Sequence, residues 1–190
     1  MAAQRTGIGR RNALRRGREL VATVEELCAA PPEVVYAVLA ELRTHALWGG
    51  EQQHANTRIV SIDAPEAPAT VGTEFETEGL DPMGRFRDRS VVTEASKPSA
   101  FEFVTEARLE TKRGKLVDWT LVHRYELDPT DGGSRIAYRV TVARISELPG
   151  MLAVFKVPVL SRLAMKASTG VAWRGVRNLA RMAEERASAR

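Results

Sequence analysis

A chain of 190 residues with 44% hydrophobic and 27% charged side chains can bury a core and has the composition of a folded globular domain, not of a fibrous or disordered chain. Its net charge of +4 is uneven: residues 1–18 hold six arginines and no acid, residues 19–150 hold 14 basic against 22 acidic residues, and residues 151–190 hold eight against two. The acidic middle has no basic stripe interleaved with aromatics, so nucleic-acid binding is not expected, and the lone Cys28 forbids an internal disulfide and fits a reducing cytoplasm.

Residues 1–18 read as a basic flexible extension to one domain spanning 19–190. Arg10-Arg11 and Arg15-Arg16 are not followed by the apolar segment that a secretion signal needs. Leu20–Ala29 reads as a first strand. Pro31-Pro32-Glu33 then opens a helix, since proline is favoured in the first turn and an acid there complements the helix dipole. Val34, Val35, Val38, Leu39 and Leu42 follow at helical spacing until the segment fades over Arg43–Trp48 and stops at Gly49-Gly50. His45 and His54 fall in a loop on this reading.

A strand run follows. Thr57–Asp63 is one candidate. Val71, Thr73, Phe75 and Thr77 alternate with Glu74, Glu76 and Glu78, and a turn over Gly79–Gly84 leads to Arg85, Arg87 and Arg89 alternating with Phe86, Asp88, Ser90 and Val92. Beyond Lys97-Pro98, Phe101, Phe103, Thr105, Ala107 and Leu109 alternate with a largely acidic set. An antiparallel meander would place the arginine strand between two acidic ones on the solvated face and turn the aromatic and threonine face inward. Val117, Trp119, Leu121, His123, Tyr125 and Leu127 form the next inward set, and Ile136, Tyr138, Val140 and Val142 the last. A helix over Leu160–Glu185 closes the chain, with Ala164, Ala167 and Val171 on its buried stripe. The apolar stretch Leu148–Met165 is broken by Lys156, Pro158 and Arg162, so no transmembrane segment is expected, although Met151–Leu160 could gate a cavity or touch a lipid surface.

The candidate pocket residues are the inward ones. Thr73, Phe75, Thr77 and Ser90 come from the early strands, Phe101, Phe103 and Thr105 from the next, and Trp119, Leu121, Tyr125 and Tyr138 from the last two, facing Ala164, Ala167 and Val171 of the helix. An apolar lining with a few placed polar groups is the usual make-up of a ligand pocket, and the alternative is that the aromatics simply fill a core. His123 and Asp88 share inward parity and are the candidates for proton transfer. Glu26 shares that parity in the first strand, where an exposed edge position is expected. The histidines are too scattered for a metal site, and no nucleotide or metal cofactor is called for.

Several segments resemble the START/Bet v 1-like superfamily (SRPBCC), in its polyketide cyclase/dehydrase-like branch. They are Cys28-Ala29-Ala30-Pro31-Pro32-Glu33-Val34-Val35-Tyr36, Leu47-Trp48, Val71-Gly72-Thr73-Glu74-Phe75, Val91-Val92-Thr93-Glu94 and His123-Arg124-Tyr125-Glu126-Leu127, with the final helix. The resemblance implies an α+β helix-grip fold, a curved antiparallel sheet wrapped around a long C-terminal helix. It also implies a cavity for an apolar small molecule such as a lipid, polyketide or isoprenoid. The expected function is binding of such a molecule by a cytoplasmic monomer or homodimer. The alternatives are a cyclase/dehydratase using His123, Asp88 and the tyrosines, and a membrane- or partner-associated protein using the arginine-rich arm.

Overall fold

The computed structural model describes the backbone of residues 11–16, 19–49, 58–145 and 158–189, and the side chains of residues 21–49, 58–144 and 169–189. Its strands are β1 (Arg11–Arg16), β2 (Glu19–Cys28), β3 (Arg58–Asp63), β4 (Glu74–Asp81), β5 (Gly84–Ser96), β6 (Ala100–Thr111), β7 (Leu116–Thr130) and β8 (Gly133–Ile145). Its helices are α1 (Pro32–Ala40), a 3₁₀ turn (Leu42–Thr44), α2 (His45–Trp48) and α3 (Pro158–Ser188). The eight strands make one antiparallel sheet in the order β1-β2-β8-β7-β6-β5-β4-β3. The chain meanders from β3 to β8, and β8 then pairs with β2, so both short helices span the gap between β2 and β3. The helix α3 packs chiefly on β2 and on α1 and α2. This is the expected helix-grip arrangement of the α+β class.

Local chemistry sets the element boundaries. Pro32 sits in the first turn of α1 with Glu33 beside it, and Val34, Val35, Val38 and Leu39 are buried. Each such side chain contributes about 1.5–3 kcal/mol when fully buried. The helix ends where Glu41 leaves helical backbone angles, and Ala69 N–H supplies the Ala40 carbonyl with a partner at 2.8 Å. On α3, Val176, Leu179, Ala180 and Ala183 are buried while Arg174, Arg177 and Arg181 are exposed, as the apolar stripe requires.

The charged rows of the outer face form as expected, with one departure. Glu78 faces Arg87 and forms an ion pair with it, and Arg89 bonds Glu74 at 3.0 Å. Across the other edge of β5, however, Arg87 lies opposite Arg108, and Arg108 turns instead to Asp118 on β7 at 2.7 Å. A bulge between Val92 and Glu94 then brings Glu94, Glu102 and Arg124 into one outer row, where Arg124 also reaches Glu126 at 3.0 Å.

Other boundaries differ from the sequence reading. Arg11–Arg16, placed there in a flexible extension, forms β1 and pairs with β2 from Arg11 opposite Val24 to Arg16 opposite Glu19. β1 covers β2 only as far as Val24, so Glu26 keeps an edge position, yet it is half-buried on the inward face and accepts a hydrogen bond from Trp173 Nε1 at 3.0 Å. Val71 is 64% exposed in a turn where Gly72 has φ +87°, so β4 begins only at Glu74. The following turn is tighter than Gly79–Gly84, because Asp81 and Gly84 already pair. Gly79 stays in the strand where a Cβ would come within 2.2 Å of the Phe86 ring, so that ring covers the glycine.

Candidate functional site

The register assembles the inward face in cross-strand rows. One row runs Thr77, Asp88, Ala107 and Trp119; a second runs Phe75, Ser90, Thr105 and Leu121; a third runs Val92, Phe103, His123 and Val140. Burial along this face is discontinuous. On β7, Val117 is 0% exposed and Tyr125 4%, yet Trp119, Leu121 and His123 between them are partly exposed. On β8, Ile136 and Tyr138 are buried, whereas Val140 and Val142 beyond them are partly exposed. Because His123 faces Val140 and Leu121 faces Val142, the open positions form one patch of neighbouring side chains, apolar except for a single imidazole.

Aromatic packing fixes that imidazole. The His123 ring stacks on Phe103 at 4.6 Å and 14°, and its Nδ1 lies 2.7 Å from the Tyr138 hydroxyl. Tyr138 in turn stacks on Tyr125 at 4.6 Å. Burial lowers the His123 pKa to about 3, with a further contribution from His45, so the ring is neutral at physiological pH. Burial likewise lowers His45 to about 4 and raises both tyrosines. His45 is not in a loop: it opens α2, stacks on Trp48 at 4.3 Å and meets Phe103 edge-on at 5.8 Å. The close fit of Gly49 explains the end of α2, since a Cβ there would lie 1.9 Å from the His45 ring.

Asp88 occupies a different part of the face. Its Oδ1 is buried without a hydrogen-bond partner, and burial raises its pKa to about 7. The hydroxyls of Ser90 and Thr105 in the next row bond one another at 2.9 Å. Asp88 and His123 do not form a pair. They lie two strands apart and four residues out of row, roughly 15 Å from one another at ordinary strand spacings. The polar partner of His123 is Tyr138.

The other sequence candidates divide into three groups. Phe75, Thr77, Ser90, Phe101, Phe103, Thr105, Tyr125 and Tyr138 are all buried, and Phe101 packs edge-on against Tyr36 of α1 at 5.9 Å. Thr73 precedes β4, and its hydroxyl accepts from Thr70 N–H at 3.0 Å, so it closes a turn. Val171 is partly exposed on α3, while the side chains of Ala164 and Ala167, together with His54 and Met151–Val157, fall outside the described residues. Val140 and Val142 complete the open patch and were legible in the inward parity of the last strand. His45 had the weaker signal of lying three residues before Trp48.

Two surface clefts lie elsewhere. One of about 480 Å³ sits at the β4–β5 and β6–β7 ends, lined by Leu80, Asp81, Arg85, Glu110 and Lys112 among others. The second, about 340 Å³, lies beside Asp63, Glu74, Phe75 and Arg89. Both are open to solvent. Among the described residues no three His, Cys, Asp or Glu side chains gather as a metal site, and no helix is long and apolar enough to cross a membrane.

Comparisons with known proteins bear on the fold. No protein-family model matches the sequence, and no curated protein matches it. Solved structures do resemble it. A protein of Rhodobacter sphaeroides aligns over 91% of this chain and 97% of its own at 16% identity, with a TM-score of 0.59. Protein NE0264 of Nitrosomonas europaea covers 88% and 96% at 16% identity and 0.58. Ara h 8.0201 covers 87% and 97% at 14% identity and 0.52. Together they support a Bet v 1-like, helix-grip fold.

Proposed function

We propose that this protein binds a small apolar molecule on the concave face of the sheet, over Trp119, Leu121, His123, Val140 and Val142. The observation that carries the reading is the break in burial along β7 and β8. A face that served only as core would be sealed along its length, because an interior void forfeits packing contacts. On β7 the partly exposed residues lie between sealed ones, Val117 and Tyr125, and on β8 they follow the sealed Ile136 and Tyr138. An apolar surface holding one oriented polar group is the usual composition of a ligand site. The likeness of the fold to Bet v 1-like proteins is in keeping with a lipid, polyketide or isoprenoid-sized occupant.

A cyclase or dehydratase working through Asp88 and His123 has less support. The two groups are too far apart to act on one proton, and a histidine held neutral down to about pH 3 is a weak general base. The binding reading is tested by native mass spectrometry of gently purified protein and by titration with the neutral fluorophore N-phenyl-1-naphthylamine. An apolar molecule should co-purify or the fluorophore should bind, and Val140→Trp, which fills the patch, should reduce binding at least tenfold with little change in melting temperature. Protein that carries no ligand and leaves the fluorophore dark would rule the reading out.

A further inference from the structure

One corner of the inward face has hydrogen-bonding capacity that the described residues leave unused. Thr77 on β4 and Asp88 on β5 are direct cross-strand partners, with the Ser90–Thr105 pair in the next row. The Cβ atoms of such partners lie about 4.5–5.5 Å apart, so one small group can touch both side chains. Asp88 Oδ1 is buried with no hydrogen-bond partner, and it is the one such sealed atom among the described residues. Asp88 Oδ2 and the Thr77 hydroxyl have no partner among those residues either, so both border open space. The neighbouring cations of β5 offer no compensation. Arg87 and Arg89 lie on the opposite face, paired with Glu78 and Glu74.

This corner adjoins the open patch. Asp88 shares a row with Trp119, with only the methyl group of Ala107 between them, and both Asp88 and Trp119 are partly exposed. A molecule lying over Trp119 and Leu121 reaches Asp88 by extending two strand spacings, about 10 Å, along that row. The chemistry of the corner selects the group that it would carry there. A carbonyl can only accept, so it pairs with the carboxyl only while that is protonated. An ammonium can only donate, and it would bring a second charge out of water. A hydroxyl both donates and accepts, so it pairs with the acid, with the carboxylate and with Thr77. Burial holds the Asp88 carboxyl near a pKa of 7, so both of its forms are present at neutral pH.

We infer that Asp88 and Thr77 form a subsite for the hydroxyl group of a ligand whose apolar body covers Trp119 and Leu121. The ligand class is then an apolar alcohol, not a plain hydrocarbon, a ketone or an amine. A bound hydroxyl supplies the partner that the buried carboxyl lacks, and a site built this way discriminates against analogues that cannot make the bond. This inference rests on the binding reading proposed above, and its test separates the two.

The probes are 2-naphthalenemethanol and 2-ethylnaphthalene, in which a methyl group replaces the hydroxyl, with 2-acetonaphthone and 2-(aminomethyl)naphthalene as the ketone and the amine. Each is titrated at pH 7 into the full chain and into the Asp88→Val protein. The ratio of alcohol to ethyl affinity should fall about tenfold in the variant, equivalent to about 1.4 kcal/mol. In carbon-13 spectra of the wild-type protein the Asp88 carboxyl signal should shift on saturation with the alcohol and stay in place with 2-ethylnaphthalene. An unmoved ratio, or an Asp88 signal indifferent to the alcohol, overturns the inference, leaves the carboxyl to water and leaves the binding reading standing. So does a larger effect of the substitution on the ketone or the amine than on the alcohol. Failure of the alcohol and the ethyl compound alike to bind wild-type protein overturns both readings. The carbon spectra use the wild-type chain, so a poorly folding Asp88→Val protein does not shield the claim.

Discussion

Asp88 is the residue with the most unusual environment on the inward face. In the unfolded chain its carboxyl loses a proton near 3.8, while in the folded protein burial holds the proton up to about 7. Between those values the folded state binds more protons than the unfolded state, so this group's stabilising contribution is present below pH 3.8 and is lost as pH rises through 7. The expected loss is about 1–3 kcal/mol over the span, at no more than about 1.4 kcal/mol per pH unit. Asp88→Asn cannot ionise there and should lose that slope, so urea unfolding should show it gaining on the wild type from pH 4 to pH 8. Parallel pH profiles for the two proteins would refute this account. Side-chain parity alone shows that Asp88 and His123 both point inward. Their separation was not legible, because it depends on the register of β5, β6 and β7, which extra residues such as Thr93 help to determine.

At the scale of elements, short irregular pieces were harder to read than long regular ones. The terminal helix expected over Leu160–Glu185 spans Pro158–Ser188, and the first strand expected from Leu20 begins at Glu19. Period-2 and period-3.6 patterns repeat often enough there to fix the phase. Between Glu41 and Trp48 the chain passes through a single 3₁₀ turn, which advances by about 120° per residue instead of 100°. That phase change turns His45 inward, so no helical pattern begun at Val34 could place it. Gly49 then becomes the residue on which the local packing depends. In Gly49→Ala the new methyl would meet both the His45 ring and its carbonyl oxygen, the latter at 2.8 Å. A loss of about 1–3 kcal/mol is expected from such overpacking. Thermal unfolding would measure it, and the near-ultraviolet circular dichroism of the His45–Trp48 stack should change with it. An unaltered melting temperature would show that α2 yields easily.

For the molecule as a whole, the acidic middle and basic ends seen in the composition map onto different surfaces. The arginines Arg87 and Arg89 of β5 are paired with acids on β4, whereas Arg174, Arg177 and Arg181 of α3 are exposed. The order of elements identified the architecture in advance, because a meander closed by one long helix has few ways to bury both apolar faces. The break in burial on the concave face could not be read in the same way, since it reflects how far side chains from several distant segments reach.

The arginine-rich start of the chain acquires a different meaning from its position as the outermost strand. Its six residues complete the hydrogen bonding of Glu19–Val24, and three of them are arginines, so an identical neighbour approaching that side would meet like charge. Removing residues 1–16 should bare a row of amide and carbonyl groups able to template another copy. Light scattering should then reveal concentration-dependent self-association of the shortened protein in buffers that keep the intact chain dispersed, and equal dispersion of the two would count against a guarding role.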